Sequence, residues 1–256
     1  MDLGIEGKVA IVTGGSRGLG RYSALALARE GAYVAICGRD ESTLVGTTEE
    51  LNGITTAMGV VIDITDEAGP TTLFDRVKTQ LGSVDILVNN VGGSRGTDAL
   101  STTDDEWRSA FDLNIMGALR LMRLVVPEMK ERNWGRIVNI SSIYGREHGG
   151  RATYMTAKAG LIALTKHMAL DLAKDGVLVN SIAPGSIAFP GGSWERFQNE
   201  QPEEVVQEFI ARNLPMEKFG WPEPIADTVA FLSSERASLI TGATVNVDGG
   251  QSHSLI

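Results

Sequence analysis

The stretch that decides the fold is residues 8–20, which read KVAIVTGGSRGLG. Its first six residues form a continuous apolar and β-branched run with the length of a buried strand. The next seven residues are rich in glycine, and residues 21–30 have the composition of a helix. The stretch therefore predicts a strand, a glycine-rich turn and a helix in direct succession.

The glycine-rich turn is a candidate phosphate-binding site. Glycine allows unusual backbone angles and a close approach of the main chain to a pyrophosphate. The first turn of the following helix offers free N–H groups and a positive partial charge. A purely structural turn is the alternative for such a cluster. The candidate cofactor-binding residues of the turn are Gly14, Ser16, Arg17, Gly18, Leu19 and Gly20.

The end of the second predicted strand bears on which dinucleotide binds. Residues 33–37 are apolar and are followed by Gly38, Arg39 and Asp40, about twenty residues beyond the glycine turn. At such a strand end an acidic side chain binds the ribose hydroxyls of NAD, whereas an arginine accommodates the extra phosphate of NADP. Gly38 and Arg39 therefore predict NADP(H). NAD(H) is the alternative if a shift of the strand end brings Asp40 to the ribose.

Strands alternate with helices along the rest of the chain. Further strands are predicted at residues 57–62, 84–88, 136–140, 177–182 and 243–247. Further helices are predicted at residues 41–51, 71–81, 104–131, 154–173 and 221–232. This order is typical of an α/β fold with a Rossmann-type, doubly wound parallel sheet of about seven strands and helices on both faces. No repeat or low-complexity linker interrupts residues 1–256, so we expect a single domain.

A second motif, Tyr154-Met155-Thr156-Ala157-Lys158, opens the helix predicted at residues 154–173. Residues four apart share a helix face, so the phenol of Tyr154 and the ammonium of Lys158 should face the same space. A nearby positive charge favours the phenolate and would lower the pKa of Tyr154, which suits a proton donor and acceptor near neutral pH. An exposed helix can also carry this pair by chance.

Other candidate site residues stand at predicted strand ends, where open parallel sheets bind ligands. Asp63 follows the third strand, where it could accept a hydrogen bond from an adenine amino group or belong to the cap of a helix that begins near Asp66. Ser142 follows the fifth strand, and a bond to the neighbouring backbone is its structural alternative. Asn114 interrupts an otherwise apolar helix and needs buried partners.

The chain changes character after the sixth strand, at residues 186–214. This stretch contains Pro190-Gly191-Gly192, Trp194, Phe197 and an acidic segment that resembles a helix. A long excursion beside a binding cleft is most often a lid or a binding loop. We therefore predict a substrate lid at about residues 186–214.

Composition excludes several classes of function. The formal charge of −9 and the pI near 4.9 oppose binding to nucleic acid or to an anionic membrane. No apolar run approaches the roughly 18 residues that span a bilayer, so a soluble protein is expected. Cys37 is the only cysteine, which excludes an intrachain disulfide and suits a reducing cytoplasm. The three histidines are scattered without metal-ligand spacing, so no metal site is predicted.

Taken together, these residues resemble the single-domain short-chain dehydrogenase/reductase family over essentially the whole chain. The matching landmarks, in chain order, are Thr13-Gly14-x-x-x-Gly18-x-Gly20, Asn89-Asn90-x-Gly92, Asn114, Ser142, Tyr154-x-x-x-Lys158, Asn180 and Pro184-Gly185. Each landmark is weak alone, but the ordered set is specific. The resemblance implies a catalytic tetrad of Asn114, Ser142, Tyr154 and Lys158. It also implies cofactor contacts from Asp63, Ile64, Asn90, Val91, Gly92, Tyr154, Lys158, Pro184, Gly185 and Ile187.

The resemblance further implies a chemistry. Tyr154 would give its proton to a carbonyl oxygen held by Ser142 while a nicotinamide delivers hydride to the carbon. Lys158 would lower the pKa of the tyrosine and bind the nicotinamide ribose, and Asn114 would anchor a water. The leading prediction is an NADP(H)-dependent oxidoreductase of a small or medium, partly apolar carbonyl/alcohol pair. A regulator that binds NADP without turnover is the alternative from another class.

One departure from the family pattern concerns the nicotinamide. The family often has a threonine at the position of Phe189, where it holds the nicotinamide amide. Ser186 is the candidate replacement for that contact.

A second departure concerns the substrate. The chain is similar to bacterial 3-oxoacyl-carrier-protein reductases, which dock an acidic carrier through two basic residues. The counterparts of those residues are Asn133 and Asp175. Lys130, Arg132 and Lys174 are near enough in sequence to compensate partly. A 3-oxoacyl-thioester reductase, acting on a carrier protein or CoA thioester, is therefore the runner-up.

The resemblance also implies an assembly, since relatives usually pair the helices predicted at 104–131 and 154–173 across a twofold axis. The second of these helices carries apolar residues on more than one face. They include Leu161, Leu164, Met168 and Leu172. We expect a homotetramer, with a dimer as the alternative.

Overall fold

The computed structural model describes residues 2–255 and contains a seven-stranded parallel sheet. Met1 and Ile256, the two ends of the predicted single domain, lie outside the described residues. The strands are β1 (Val9–Thr13), β2 (Tyr33–Gly38), β3 (Ala57–Val61), β4 (Ile86–Asn89), β5 (Gly135–Ile140), β6 (Val177–Pro184) and β7 (Thr244–Val247). Their order across the sheet is β3-β2-β1-β4-β5-β6-β7. The chain adds β2 and β3 on one side of β1 and β4 to β7 on the other, so the strand order reverses between β1 and β4. Open parallel sheets bind ligands at such a switch point.

Helices cover both faces of the sheet. They are α1 (Gly18–Arg29), α2 (Glu41–Asn52), α3 (Gly69–Gln80), α4 (Asp104–Phe111), α5 (Gly117–Glu131), α6 (Ala152–Leu172), α7 (Ser193–Glu200), α8 (Glu203–Asn213) and α9 (Pro222–Leu232). The prediction of a doubly wound, Rossmann-type α/β fold is thus confirmed. The predicted boundaries were less accurate, because α1 begins at Gly18, inside the glycine turn, and α6 begins at Ala152.

Two hydrophobic clusters, one on each face of the sheet, hold the layers together. One cluster joins Val12 and Ile36 to side chains of α1 and α9. The other joins Ile11 and Leu87 to side chains of α3, α5 and α6. Ile11 and Val12 are adjacent in β1 and enter opposite clusters, as alternation along a strand requires. Burial on both faces explains why the central strands read as continuous apolar runs.

The helix predicted at residues 104–131 is interrupted by a π-helical turn, Asp112–Met116. This turn separates α4 from α5, and Asn114 lies at its centre with 1% of its surface exposed. A π-helical turn inserts an extra residue into the helix and is frequent at functional sites. The apolar pattern of the sequence continues through the turn, so it could not reveal the change of helix type.

The insertion, residues 186–220 between β6 and α9, has a core of its own. A parallel bridge between Ile187 and Gly220 closes its base, so the segment extends beyond its predicted end at residue 214. Four aromatic rings pack in its interior with centroid separations between 4.8 and 6.4 Å. They belong to Trp194, Phe197, Phe209 and Phe219. All members of this cluster lie between residues 188 and 219.

Candidate active site

Three residues of the predicted tetrad, Asn114, Tyr154 and Lys158, meet near Gly92, just beyond the C-terminal end of β4. A methyl group built on Gly92 would stand 2.7 Å from Nζ of Lys158 and 2.8 Å from Oδ1 of Asn114. The same Nζ lies 5.6 Å from the ring centroid of Tyr154. The loop after β4, the π-helical turn and α6 therefore bring these side chains together, and the missing side chain of Gly92 leaves room for them.

Lys158 is held in a buried position by the main chain. Its Nζ donates a hydrogen bond of 2.7 Å to the carbonyl oxygen of Ile140, the last residue of β5, and the residue is 2% exposed. Burial penalises the charged amine and lowers the pKa of Lys158 to about 8. The amine can therefore change its protonation near neutral pH while its position stays fixed.

Tyr154 differs from the prediction in the direction of its pKa shift. Burial raises the pKa of the phenol above its usual value, a hydrogen bond with Ser142 opposes this change, and Tyr144 raises the pKa further. The expected lowering by Lys158 is therefore wrong. Lys158 has a pKa of about 8, so it is already neutral at the pH where a phenol of raised pKa ionises. Sequence spacing placed the pair together but could not show how much water surrounds it.

The two serines that follow β5 have different partners. Ser141 Oγ donates to the carbonyl oxygen of Lys158 at 3.1 Å, and so joins the end of β5 to α6. Ser142 Oγ accepts a hydrogen bond of 3.2 Å from the N–H of Tyr144. Because that bond uses the oxygen as an acceptor, the hydroxyl proton of Ser142 can be donated to another oxygen, and its bond with Tyr154 shows that the phenol oxygen is within its reach. Of the two, Ser142 is the serine that can hold a substrate.

Asn114 uses its side chain inside the protein. Its Oδ1 accepts from the N–H of Gly93 at 3.1 Å. Its Nδ2 donates to the carbonyl oxygens of Gly93 and Ala110 at 2.9 and 2.8 Å. These bonds fix the loop after β4 against the π-helical turn. Both amide hydrogens are used, so a water at Asn114 would have to donate to an oxygen of this residue.

The glycine turn has the backbone geometry of a phosphate cradle. Gly14 and Gly18 have φ of +63° and +53°, which glycine adopts without strain. Gly18 is also the first residue of α1, so the free N–H groups of that helix open onto the turn. A methyl group on Gly20 would stand 2.3 Å from the carbonyl oxygen of Gly14. The main chain at Gly20 therefore packs directly on that at Gly14, and the residues of the turn fit a diphosphate that approaches the main chain.

Thr13 and Asn90 join the glycine turn to the end of β4. The N–H groups of Asn90 and Val91 donate to Thr13 Oγ1 at 2.9 and 3.2 Å. The Nδ2 atom of Asn90 donates to the carbonyl oxygens of Thr13 and Gly14. Asn90 was predicted to contact the cofactor, but its amide nitrogen is committed to the protein, which leaves Oδ1 for a ligand.

Four of the predicted cofactor residues pack their side chains in or against the hydrophobic clusters. They are Leu19, Ile64, Val91 and Ile187. Their main-chain groups are therefore the polar groups they can offer to a ligand.

The end of β2 presents a small residue beside an exposed cation. A methyl group on Gly38, the last residue of the strand, would stand 2.9 Å from Oγ of Ser16. The side chain of Arg39 is 72% exposed and makes a 3.5 Å ion pair with Asp63. Arg17 is also exposed. Ser16 thus lies where a side chain on Gly38 would stand, and the exposed guanidinium of Arg39 is next to this strand end.

Asp63 forms a local turn instead of a helix cap. Its Oδ1 accepts hydrogen bonds from the N–H and the hydroxyl of Thr65 at 2.9 and 2.8 Å. The alternative in which this segment caps a helix near Asp66 is wrong, because α3 begins at Gly69 and its N-cap residue is Ala68. The second oxygen of Asp63 faces Arg39.

Asp40 caps α2. Its Oδ1 accepts from the N–H of Thr43 at 2.8 Å and from the hydroxyl of Ser42 at 2.9 Å. The N–H of Thr43 is the largest cause that holds the pKa of this carboxyl below its usual range. A carboxylate with these partners is committed to the helix. The strand ends at Gly38, so the register shift that would favour NAD(H) is absent.

Phe189, at the position of the missing threonine, covers part of the glycine turn. A methyl group on Gly18 would stand 2.6 Å from Cε2 of the ring. Nearby, Pro184 ends β6, and Ile187 is 6% exposed and bridges to Gly220 at the base of the insertion. The ring thus replaces a polar group with an apolar surface at the turn.

Sequence reasoning missed the C-terminal segment. Gln251 is 7% exposed and makes two hydrogen bonds to Ser186, which is 4% exposed. A methyl group on Gly185 would stand 2.7 Å from Oε1 of Gln251. Glu147 accepts three hydrogen bonds from residues 252–254. The sequence marks this region only by Asp248-Gly249-Gly250, a turn signal that says nothing about where the next residues lie.

Two further observations limit the chemistry of the site. Among residues 2–255, no group of three His, Cys, Asp or Glu side chains is placed to hold a metal ion. Burial raises the pKa of the Cys37 thiol to about 11, so this cysteine is a poor nucleophile. In the same part of the chain, no helix combines the length and the apolar character needed to cross a membrane.

The known proteins to which this chain is similar match it over nearly its whole length. A family profile described as enoyl-(acyl carrier protein) reductase matches residues 14–252. The 3-oxoacyl-(acyl-carrier-protein) reductase FabG of Escherichia coli (strain K12) is 35% identical over 249 residues, which cover 97% of this chain and 98% of the relative.

Two solved structures superpose closely. The L-sorbose reductase of Gluconobacter frateurii, complexed with NADPH and L-sorbose, has a TM-score of 0.91 and 31% identity, with 100% of both chains covered. A 7 alpha-hydroxysteroid dehydrogenase, complexed with NADH and 7-oxo glycochenodeoxycholic acid, has a TM-score of 0.89 and 31% identity, with 100% of this chain and 98% of that chain covered. These relatives act on different substrates, so the similarity alone does not name one.

Proposed function

This chain belongs to the short-chain dehydrogenase/reductase family, and from that premise we propose that it interconverts a ketone or aldehyde and its alcohol with NADP(H). The observation that carries the proposal is the meeting of Lys158 and Asn114 at Gly92, with the ring of Tyr154 beside the amine. Burying an amine beside a phenol costs free energy of folding, and a protein that only binds a dinucleotide would gain nothing in return.

The proton chemistry rests on Tyr154 and Ser142. NADPH, when bound, supplies the hydride that goes to the carbonyl carbon. The raised pKa of Tyr154 keeps the phenol protonated at neutral pH, so it can donate its proton to the carbonyl oxygen. The available hydroxyl proton of Ser142 forms a hydrogen bond to the same oxygen and stabilises the charge that develops there. In the reverse direction, Tyr154 accepts the proton of the alcohol.

Lys158 supplies hydrogen-bond donors and a nearby exchangeable proton. Its Nζ spends one donor on Ile140, which leaves further donors for the ribose hydroxyls of the cofactor. With a pKa of about 8, the amine can also take up or release a proton near neutral pH when the phenol of Tyr154 regains its proton. Asn114 holds the loop after β4 so that this amine keeps its place.

The end of β2 supports NADP(H) over NAD(H). Gly38 has no acidic side chain to bind the ribose hydroxyls, and the exposed guanidinium of Arg39 offers a planar cation to a 2′-phosphate. Asp40, the acid that could favour NAD(H), is bonded to the first turn of α2.

The proposal is tested by oxidation of NADPH in the presence of a panel of ketones that contains a ketose, a steroid ketone and acetoacetyl-CoA. We expect turnover with at least one of them, and a rate roughly 10² to 10⁴ lower with the Tyr154→Phe variant. NADP⁺ binding without turnover of any carbonyl or alcohol would instead favour the non-catalytic regulator.

A 3-oxoacyl-thioester reductase is the second candidate, supported by the identity to the Escherichia coli enzyme. Fewer unpaired cations are present to dock an acidic carrier than the sequence predicted. Lys130 Nζ lies 3.0 Å from Asp175, and Arg132 lies 3.3 Å from Asp85, so both cations are paired within the protein. Lys174 is exposed. A CoA thioester therefore suits this chain better than a carrier protein. Comparison of kcat/KM for acetoacetyl-CoA and for the carrier-bound thioester decides between them.

We also propose a homotetramer that works in the cytoplasm, with each chain acting as one domain and the insertion as substrate lid. On α6, the four apolar residues expected at the assembly surface are covered within a single chain: Leu161 and Leu172 are 1% and 6% exposed, and Leu164 and Met168 pack against a hydrophobic cluster. Leu170 of the same helix is 73% exposed, and it is the apolar side chain that supports an interface. A free, buried Cys37 suits a reducing compartment. Light scattering should give about four times the 27.3 kDa of one chain, and a mass near 27.3 kDa would refute the assembly.

A further inference from the structure

The pairing of Gln251 with Ser186 has a direction that the geometry settles. Oε1 of Gln251 lies 2.7 Å from the main-chain nitrogen of Ser186, which can only donate. The amide oxygen must therefore face that N–H, and the amide nitrogen must face the serine hydroxyl, 2.9 Å away. An amide nitrogen can only donate, so Ser186 Oγ is the acceptor in this bond.

This arrangement leaves the hydroxyl proton of Ser186 without an acceptor among residues 2–255. Within residues 2–255, the bond from Gln251 is the one hydrogen bond that Ser186 Oγ makes. The residue is 4% exposed, and a buried O–H group without an acceptor is unfavourable. The proton is thus presented to whatever acceptor occupies the adjoining space.

The position of Ser186 indicates what that acceptor is. Ser186 follows Pro184-Gly185 at the C-terminal end of β6, and β6 lies next to β5, whose end carries Ser142. The glycine turn for the diphosphate follows β1, separated from β6 by β4 and β5. Ser186 therefore belongs to the hydride-transferring end of the cofactor. Phe189, the other candidate there, has no hydroxyl.

We propose that Gln251 is a positioning residue that orients Ser186 so that its hydroxyl donates to the carboxamide oxygen of the nicotinamide. The proposal rests on the proposed use of NADP(H). Gln251 reaches this place because Gly185 has no side chain to exclude its Oε1. The bonds from residues 252–254 to Glu147 hold the segment that carries it. A residue beyond the last strand thereby helps to fix the ring that carries the hydride.

The test uses the isosteric change Gln251→Glu. The new carboxylate can still accept from the N–H of Ser186, but it cannot donate to the hydroxyl. The hydroxyl of Ser186 must then turn and donate to the carboxylate, so its proton is lost to the cofactor. Ser186→Ala removes the proton directly. His253→Ala, which shortens an exposed side chain of the same segment and keeps its main-chain bond to Glu147, is the matched control.

Affinities for NADP⁺ and for 2′-phospho-ADP-ribose, which lacks the nicotinamide, are measured by calorimetry at pH 8. For Ser186→Ala and Gln251→Glu we expect NADP⁺ to bind about five to ten times more weakly and 2′-phospho-ADP-ribose to bind within about twofold of wild type. The double variant should be no worse than either single one.

Two results would overturn the proposal. Unchanged NADP⁺ affinity in Ser186→Ala would show that the hydroxyl does not contact the nicotinamide. Equal weakening of both ligands would place the effect at the diphosphate or in the charge of the new carboxylate. If wild type binds both ligands, either result leaves the proposed function intact. If wild type binds neither, the proposed function falls together with this inference.

Discussion

At the nicotinamide end of the site, Asn114, Ser142 and Lys158 are 1%, 6% and 2% exposed, and each is hydrogen-bonded to the main chain. At the adenosine end, the side chain of Arg39 is 72% exposed, and its contact is a 3.5 Å ion pair with Asp63. The first end is therefore set before any ligand arrives, whereas the second, if it binds the 2′-phosphate as proposed, gains most of its contacts from the cofactor. We expect substitutions at the first end to change turnover and substitutions at the second to change cofactor choice.

The largest effect is expected at Tyr154. Tyr154→Phe keeps the ring but removes the proton donor, so kcat should fall by roughly 10² to 10⁴. The Kd for NADPH, measured by fluorescence titration, should stay within about threefold of wild type because the ring still fills its place. Tyr22→Phe, which removes a hydroxyl from α1, serves as the control. Turnover of Tyr154→Phe within a few-fold of wild type would remove this residue from the chemistry.

The burial of Lys158 should make the free energy of unfolding depend on pH. Its pKa is about 8 in the folded chain and near 10.5 when unfolded. Between these values the unfolded chain binds the extra proton, so this lysine makes the protein more stable as pH rises. Relative to Lys158→Met, the free energy of unfolding of wild type should increase by up to about 3 kcal/mol across that window. Urea titrations at pH 7.5, 9 and 10 measure the difference, and a constant difference would contradict the lowered pKa.

Arg39→Ala tests the exposed end. Loss of a charge-assisted contact to the 2′-phosphate should lower kcat/KM for NADPH about tenfold to a hundredfold and leave NADH nearly unchanged. Arg29→Ala, at the opposite end of α1, is the matched control because it removes an exposed arginine far from the turn. Equal losses with both cofactors, or a wild type that prefers NADH, would mean that Arg39 does not select the phosphate.

The smallest effect is expected at Asp40. Asp40→Ala removes the N-cap of α2 and should lower Tm by about 2 to 4 °C. The ratio of kcat/KM for NADPH to that for NADH should not change, because the carboxylate is bonded to the helix. Asp40→Asn retains a capping oxygen and should keep most of the Tm. A gain in NADPH preference in both variants would show that Asp40 reaches the ribose after all.

The sheet and the places of the site residues could be predicted because they follow from local patterns. An apolar run that ends in glycine, as at Gly14, marks both a strand and the point where its ligand-binding end opens. The pairing of Tyr154 with Lys158 follows from helix geometry alone.

What could not be predicted depends on burial and on contacts between distant parts of the chain. The direction of the Tyr154 pKa shift follows from desolvation, which no spacing encodes. Within the π-helical turn, Asn114 bonds to Gly93 and Ala110, and no apolar period in the sequence encodes these contacts. Gln251 meets Ser186 across 65 residues of sequence, and the residues around it form no motif.

The aromatic core of the insertion determines how that segment can move. Its four rings pack on one another, and all members of the cluster lie between residues 188 and 219. If this segment opens as the proposed lid, it can swing as a rigid body about Ile187 and Gly220 with these four rings still packed together, whereas Phe189 would leave the glycine turn. In a variant whose only tryptophan is Trp194, we expect emission to stay blue while the hinge moves. A red shift on opening would mean that the segment melts instead.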